Sequence, residues 1–253
     1  MLNTLPILIF HTLEKPGPAI SFSARDFRRN LGMLHQRGYR TLSLLTAVER
    51  LRQGQPFPPR ALVLTFDDGY RSVYEKAFPV LQRYAMSATI FVTTGLQRPS
   101  RPTERLPSCV HRPMLSWNEI REMHSWGVEI GAHSCTHADL TRLPTDRIQA
   151  ELGDSKAIIE DMLGSAVQSF AYPYGRYDER CLAIARQHFD CACSDRLGLV
   201  TQRSRPYALE RIDAYYLRPD GLFRLLATRW FPSYVRLRRI TRGAKRALQV
   251  RRR

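Results

Sequence analysis

Ala61-Leu62-Val63-Leu64-Thr65-Phe66-Asp67-Asp68-Gly69-Tyr70 is the stretch that decides the fold. Its first six residues form a continuous apolar or β-branched run with no polar alternation, which predicts a strand buried on both faces, as in a parallel sheet. Pro56, Pro58 and Pro59 mark the turn before it. The run ends in two adjacent carboxylates. Such a pair at the end of a buried strand loses much hydration, which is unfavourable unless a cation or a reaction requires it. The competing reading is a tight turn, for which Asp-Asp-Gly-Tyr is also suitable.

Working outward, strand and helix patterns alternate. Strands are predicted over 6–10 (ending at His11), 39–42, 61–66, 88–92, 128–130, 169–172 and 190–194. Helices are predicted over 23–35, capped by Ser23 with Phe27, Leu31, Leu34 and His35 on one face, and over 46–51, 70–84, 117–126, 145–163 and 178–188. Residues 97–113, rich in Pro, Arg and Ser, read as a loop. Strands alternating with helices imply a mostly parallel sheet with helical cover. Each chemically interesting residue follows a predicted strand, which is where parallel α/β folds, and barrels above all, gather their active sites.

The second such segment is His133-Ser134-Cys135-Thr136-His137, after the strand over 128–130. Together the two segments offer two imidazoles and two carboxylates, a set suited to a divalent metal with a base beside it. A metal-dependent hydrolase is the expectation.

With 253 residues the chain suits one α/β domain. Thirty-nine basic residues stand against 23 acidic ones, a net charge of +16, and the excess is localised. No acidic residue follows Asp220, while 224–253 carry eleven basic ones, leaving +5 for the first 220. The expected division is a catalytic domain over 1–220 and a basic amphipathic tail over 221–253. The five cysteines have no framework spacing, which favours reduced thiols. The first residues lack a basic n-region and a long apolar run, so no signal peptide is expected. A cytoplasmic location, peripheral at the inner face of a membrane, is the matching expectation.

Thr-Phe-Asp-Asp-Gly (65–69), His-Ser-Cys-Thr-His (133–137) and Ala-Tyr-Pro-Tyr-Gly (171–175), in that order, resemble the first three motifs of the polysaccharide deacetylase family, the NodB-homology or carbohydrate esterase family 4 domain. Pro-Ile-Leu-Ile-Phe-His (6–11), the 81–92 segment, Trp117 and Gly-Val-Glu-Ile-Gly (127–131) extend the resemblance over about residues 5–215. It implies an α/β fold, a distorted (β/α) barrel, here with a basic C-terminal helical tail. It also implies one divalent metal, most often zinc, and removal of N-acetyl groups from amino sugars. Carried over by motif, Asp68, His133 and His137 are the implied metal ligands and Asp67 the base. The backbone N–H of Tyr174, in a turn shaped by Pro173 and Gly175, is the implied oxyanion donor. No late Leu-x-His motif is present. His11 resembles the N-terminal histidine that serves as acid in the subgroup related to biofilm poly-N-acetylglucosamine deacetylases.

One departure stands out: many members of the family have an arginine where Ala171 stands, and Arg211 is the candidate to replace it from another strand. Tyr70, Trp117, Tyr172, Pro173 and Tyr174 are candidates for contact with sugar rings, against the plainer reading of aromatics as core. Cys191 and Cys193 read as small buried apolar residues, Cys135 as a bystander, and His111 and Cys109 as loop residues near the substrate mouth.

In the tail, 222–231 reads as a short amphipathic helix ended by Pro232. A second helix then places Leu237, Ile240, Ala244 and Leu248 on one face among arginines. That pattern suits an anionic membrane surface; nothing in the sequence resembles a nucleic-acid reading motif. The expected substrate is an amino-sugar glycan or lipid-linked sugar. The alternatives are a deformylase or non-sugar amidase on the same site, a pseudoenzyme that only binds glycan or membrane, and a charge-driven adaptor.

Overall fold

The structure, a computed structural model, describes residues 3–14, 20–95, 104–107, 112–218 and 221–250, with side chains as far as Arg242. His111 and Cys109 therefore lie outside the described residues.

Seven parallel strands close a barrel: β1 (Ile7–Phe10), β2 (Ala61–Phe66), β3 (Thr89–Val92), β4 (Glu129–Ala132), β5 (Ser169–Ala171), β6 (Cys191–Leu197) and β7 (Leu209–Asp213). Neighbours run in the order β1-β7-β6-β5-β4-β3-β2, and β2 pairs back onto β1 from Ile7↔Val63 to Phe10↔Phe66. Closure leaves no exposed edge. The two-residue strand Arg40–Thr41 pairs with the start of β2.

Among the described residues, seven α-helices surround or cap the barrel: α1 (Ala24–Gln36), α2 (Leu44–Arg52), α3 (Phe78–Tyr84), α4 (Trp117–Ser125), α5 (Thr145–Leu163), α6 (Glu179–His188) and α7 (Phe231–Val250). Their starts follow local chemistry. Ser23, Ser43 and Asp178 accept from the first turns of α1, α2 and α6, and Ser116 with Glu119 forms a full capping box on α4. The main core packs helices on the outside of the strands. A smaller cluster joins Leu44, Ala47, Val48 and Leu51 of α2 to Ile7, Val63, Phe91 and Ala171, closing the end where the strands begin.

Several expectations shift. α2 begins at Leu44, because Ser43 rather than a later residue caps it. The helix expected over 70–84 begins at Arg71 and carries a π-helical turn over Val73–Ala77 before it runs into α3. It follows directly on the turn after β2, where Asp68 and Gly69 both have positive φ. β7 is a strand that the alternation does not predict. Residues 222–227 form a 3-10 helix, and Pro232 lies in the first turn of α7 rather than ending a helix, a position proline suits. Position 220 is not a packing boundary either: Phe223, Leu226, Phe231 and Val235 are buried in the main core. No helix of the described residues is long and apolar enough to cross a membrane.

Tight packing inside the barrel gives a first prediction. A Cβ on Gly131 would lie 2.6 Å from ring atoms of Phe91 and from Ser169 Oγ. Gly131→Ala should therefore destabilise the fold by about 1–3 kcal/mol, through overpacking. Urea unfolding at neutral pH measures this; an unchanged midpoint would contradict it.

Candidate active site

Every barrel strand delivers its last residue to the same end, where the backbone turns sharply. The amide of Asp67 donates to Phe10 O at 2.9 Å, setting His11 beside the Asp67–Asp68 pair. Successive strand residues point to opposite faces; at Asp68 the chain instead takes φ +74°, and Gly69 follows at +82°. Ser134, His137 and Tyr174 also have positive φ, at 63°, 57° and 58°. Strained backbone of this kind persists where the surroundings over-determine it, and it gathers at functional sites.

Asp68, His133 and His137 converge. Asp68 Oδ1 lies 3.4 Å from His133 Nε2 and 3.3 Å from His137 Nε2, and one ligand atom from each residue falls within 4.8 Å of the others. Tetrahedral bonds of about 2.0–2.2 Å to zinc would put ligand atoms roughly 3.3 Å apart, so the donor set fits one ion. His133 Nδ1 donates to Ala171 O at 2.7 Å, which fixes the ring so that Nε2 faces Asp68. Burial pushes the Asp68 carboxyl up, but hydrogen bonds with His133 and His137 and the charges of His133 and His11 outweigh it and hold the group well below its ordinary value.

Asp67 does not share this cluster. Its carboxylate takes two parallel hydrogen bonds from Arg211, Nη1 to Oδ1 and Nη2 to Oδ2, each 2.8 Å, and both residues are buried. Arg211 is fixed in turn: Nε donates to Ser194 O at 2.9 Å and Nη1 to Thr65 Oγ1 at 3.1 Å, while the guanidinium stacks 5.6 Å over Phe91. Burial alone would raise Asp67; the Arg211 charge, with help from His133 and His11, lowers it instead. An arginine from β7 thus grips this carboxylate although residue 171 is an alanine.

The loop between the histidines is held from below by Glu151 of α5. Its Oε2 accepts from the amides of Cys135 and Thr136, both at 2.9 Å, and its Oε1 from Thr136 Oγ1 at 2.6 Å. Ser134 Oγ accepts from the His137 amide. Sequence reading missed Glu151. The available signal was a carboxylate on the apolar face of a helix, between Ile148 and Leu152. Asp213 was also missed, two residues beyond Arg211 and so on the same face of β7. It is largely buried, which raises its carboxyl, with the His11 charge opposing.

The Pro173–Gly175 turn brings Tyr174 to the mouth, 56 % exposed, its ring edge-on to His137 at 4.7 Å. A Cβ on Gly175 would meet the Asp195 backbone nitrogen at 2.3 Å, so only glycine fits beneath this turn. Four expected sugar contacts are corrected. Tyr70 and Trp117 are buried in the main core, and Pro173 is buried within its turn, so none offers a face to a ring. Tyr172 is buried too. Cys191 and Cys193 are buried thiols of the barrel cluster.

The polysaccharide deacetylase family model matches residues 54–189. The Bacillus subtilis (strain 168) protein YxkH, described as a polysaccharide deacetylase, is 30% identical over 209 residues, 82% of this chain and 70% of the relative. The Staphylococcus aureus (strain MSSA476) poly-β-1,6-N-acetyl-D-glucosamine N-deacetylase is 25% identical over 233 residues, 88% of this chain and 76% of its own. Among solved structures, the Streptococcus pyogenes deacetylase PplD in complex with acetate is 26% identical with a TM-score of 0.76, covering 88% of this chain and 98% of that one. The chain belongs to the polysaccharide deacetylase family.

The buried pair yields a second prediction. Arg211→Met would leave Asp67 charged, buried and unpaired, destabilising the fold by about 3–5 kcal/mol at pH 7. The folded-state value of Asp67 lies below its unfolded value. The contribution of the pair is therefore present above the unfolded value of about 3.9 and is lost as pH falls through the folded one. The gap between Arg211→Met and the unaltered protein should narrow on acidification below about pH 4; urea unfolding across that range reads it, and a gap that stays constant or widens would contradict the pairing.

Proposed function

We propose that this chain is a metal-dependent hydrolase that removes N-acetyl groups from an amino-sugar glycan or a lipid-linked amino sugar. The observation that carries this reading is the division of labour between adjacent carboxylates. Asp68 joins two imidazoles, while Asp67 is kept apart by Arg211. The names of relatives support it: one acts on poly-β-1,6-N-acetylglucosamine and another was solved with acetate.

In this reading Asp68, His133 and His137 hold one divalent ion, zinc by the preference of an N,N,O donor set with an open fourth position. When bound, the ion polarises the amide carbonyl and lowers the pKa of water. Asp67, ionised under the Arg211 charge, takes a proton from water as its oxygen adds to the acetyl carbon. The oxyanion that develops accepts from the N–H of Tyr174. The C–N bond then breaks, His11 gives its proton to the leaving amine, and acetate and a free amino sugar result. The His11 charge also acts on Asp213, against the effect of burial. Arg211 positions the base and touches no substrate. The exposed ring of Tyr174 stacks on the sugar. The reading includes peripheral contact of residues 222–253 with an anionic membrane, supported by their charge.

Asp67→Asn should lower kcat for acetate release from N-acetylglucosamine oligomers by about 10²–10⁴, with about one metal retained per chain. Chelation should abolish release in the unaltered protein, and zinc should restore it. Undiminished turnover by Asp67→Asn would remove the base assignment; formate without acetate would replace the deacetylase reading by a deformylase.

A further inference from the structure

α7 is not a free tail, and its two faces do different things. Phe231 and Val235 are buried in the main core. Farther along the same face, the Arg238 guanidinium lies 5.6 Å over Tyr234 and 5.9 Å over Tyr216. Arg242 Nη1 donates to Asp195 O at 2.7 Å and also pairs with the Asp195 carboxylate. Asp195 is the residue packed against Gly175, beneath the Tyr174 turn. Tyr216 follows the end of β7. The inner face of α7 thus borders the end of the barrel that carries Asp68, His133 and His137.

The outer face has no partner among the described residues. Leu237 and Ile240 are 60 % and 62 % exposed, and Trp230, just before the helix, is 60 % exposed with Arg229 stacked on it. Arg236 and Arg239 are exposed between them. The sequence keeps the apolar spacing at Ala244 and Leu248, places Lys245 and Arg246 between these two, and carries no acid after Asp220.

We infer that the outer face of α7 is a docking surface for an anionic lipid bilayer, and that docking sets the catalytic mouth against the lipid. The inference rests on the proposed function only for what the mouth does there. Among occupants, a second copy of the chain would set the exposed Arg229, Arg236 and Arg239 of one outer face against the same arginines of the other. A nucleic acid would use the arginines and leave Trp230, Leu237 and Ile240 in water. A bilayer uses both: Trp at the level of the headgroups, Leu and Ile at the acyl boundary, and Arg on the phosphates. An α-helix is about 10 Å across, so lipid on the outer face lies about one helix diameter from the rim.

The full chain is sedimented with phosphatidylcholine vesicles, with and without phosphatidylglycerol. Binding should require phosphatidylglycerol and fall as salt rises. Leu237→Glu/Ile240→Glu and, separately, Arg236→Gln/Arg239→Gln should each bind about tenfold more weakly or worse, with unchanged melting temperatures. Both variants should release acetate from soluble N-acetylglucosamine oligomers at the unaltered rate, and more slowly from an N-acetylglucosaminyl lipid in anionic vesicles. Equal binding to neutral vesicles, undiminished binding by the variants, or a dimer that the Glu variant splits would overturn the docking surface. RNA captured as tightly as vesicles, with the Leu237→Glu/Ile240→Glu variant unaffected, would do the same. Loss of acetate release from every substrate with vesicle binding intact would instead sink the proposed function alone.

Discussion

Two carboxylates on consecutive residues, both withdrawn from water and both ionised, make the constraint on which the rest of the structure depends. Neither can be neutralised by the other, so each requires its own cationic surroundings. Arg211 supplies them for Asp67, through two hydrogen bonds of 2.8 Å in a buried setting. The imidazoles of His133 and His137 supply them for Asp68. The positive φ at Asp68 separates the two environments, because it turns the second side chain out of the alternation of the strand. Breaking either arrangement leaves a buried charge without a partner, which is why the pairing bears on stability and on chemistry together.

Much of this was legible in the sequence. The strands that became β1 to β6 are short apolar runs bounded by turn residues, and they are read from that pattern alone. β7 was not, because Leu209-Glu210-Arg211-Ile212-Asp213 is neither a continuous apolar run nor a regular alternation of apolar and polar residues. In the barrel Arg211 turns inward, which is tolerable only because Asp67, 144 residues away in sequence, meets it there. No local pattern carries that information. The motif residues Asp68, His133 and His137 were legible as a set, and the structure brings them together. Tyr70 and Trp117 were misread for a general reason: an aromatic beside a motif is more often the floor of the site than its surface, and both lie in the main core.

The supports around the site come from distant elements. Glu151 reaches up from α5 to hold the amides between the histidines. Asp195 fills the space beneath Gly175, and Arg242 of α7 grips Asp195. The last helix is thus tied, through Asp195, to the turn that presents Tyr174. A sequence reading that cuts the chain at Asp220 divides residues that the core joins.

Anomalous X-ray scattering at the zinc edge, from crystals grown with zinc, tests the central claim most directly. The account predicts one strong peak bonded at about 2.0–2.2 Å to Asp68, His133 Nε2 and His137 Nε2, with Asp67 still paired to Arg211 and outside the coordination sphere. A peak elsewhere, no peak, or Asp67 drawn off Arg211 to become a ligand would contradict it.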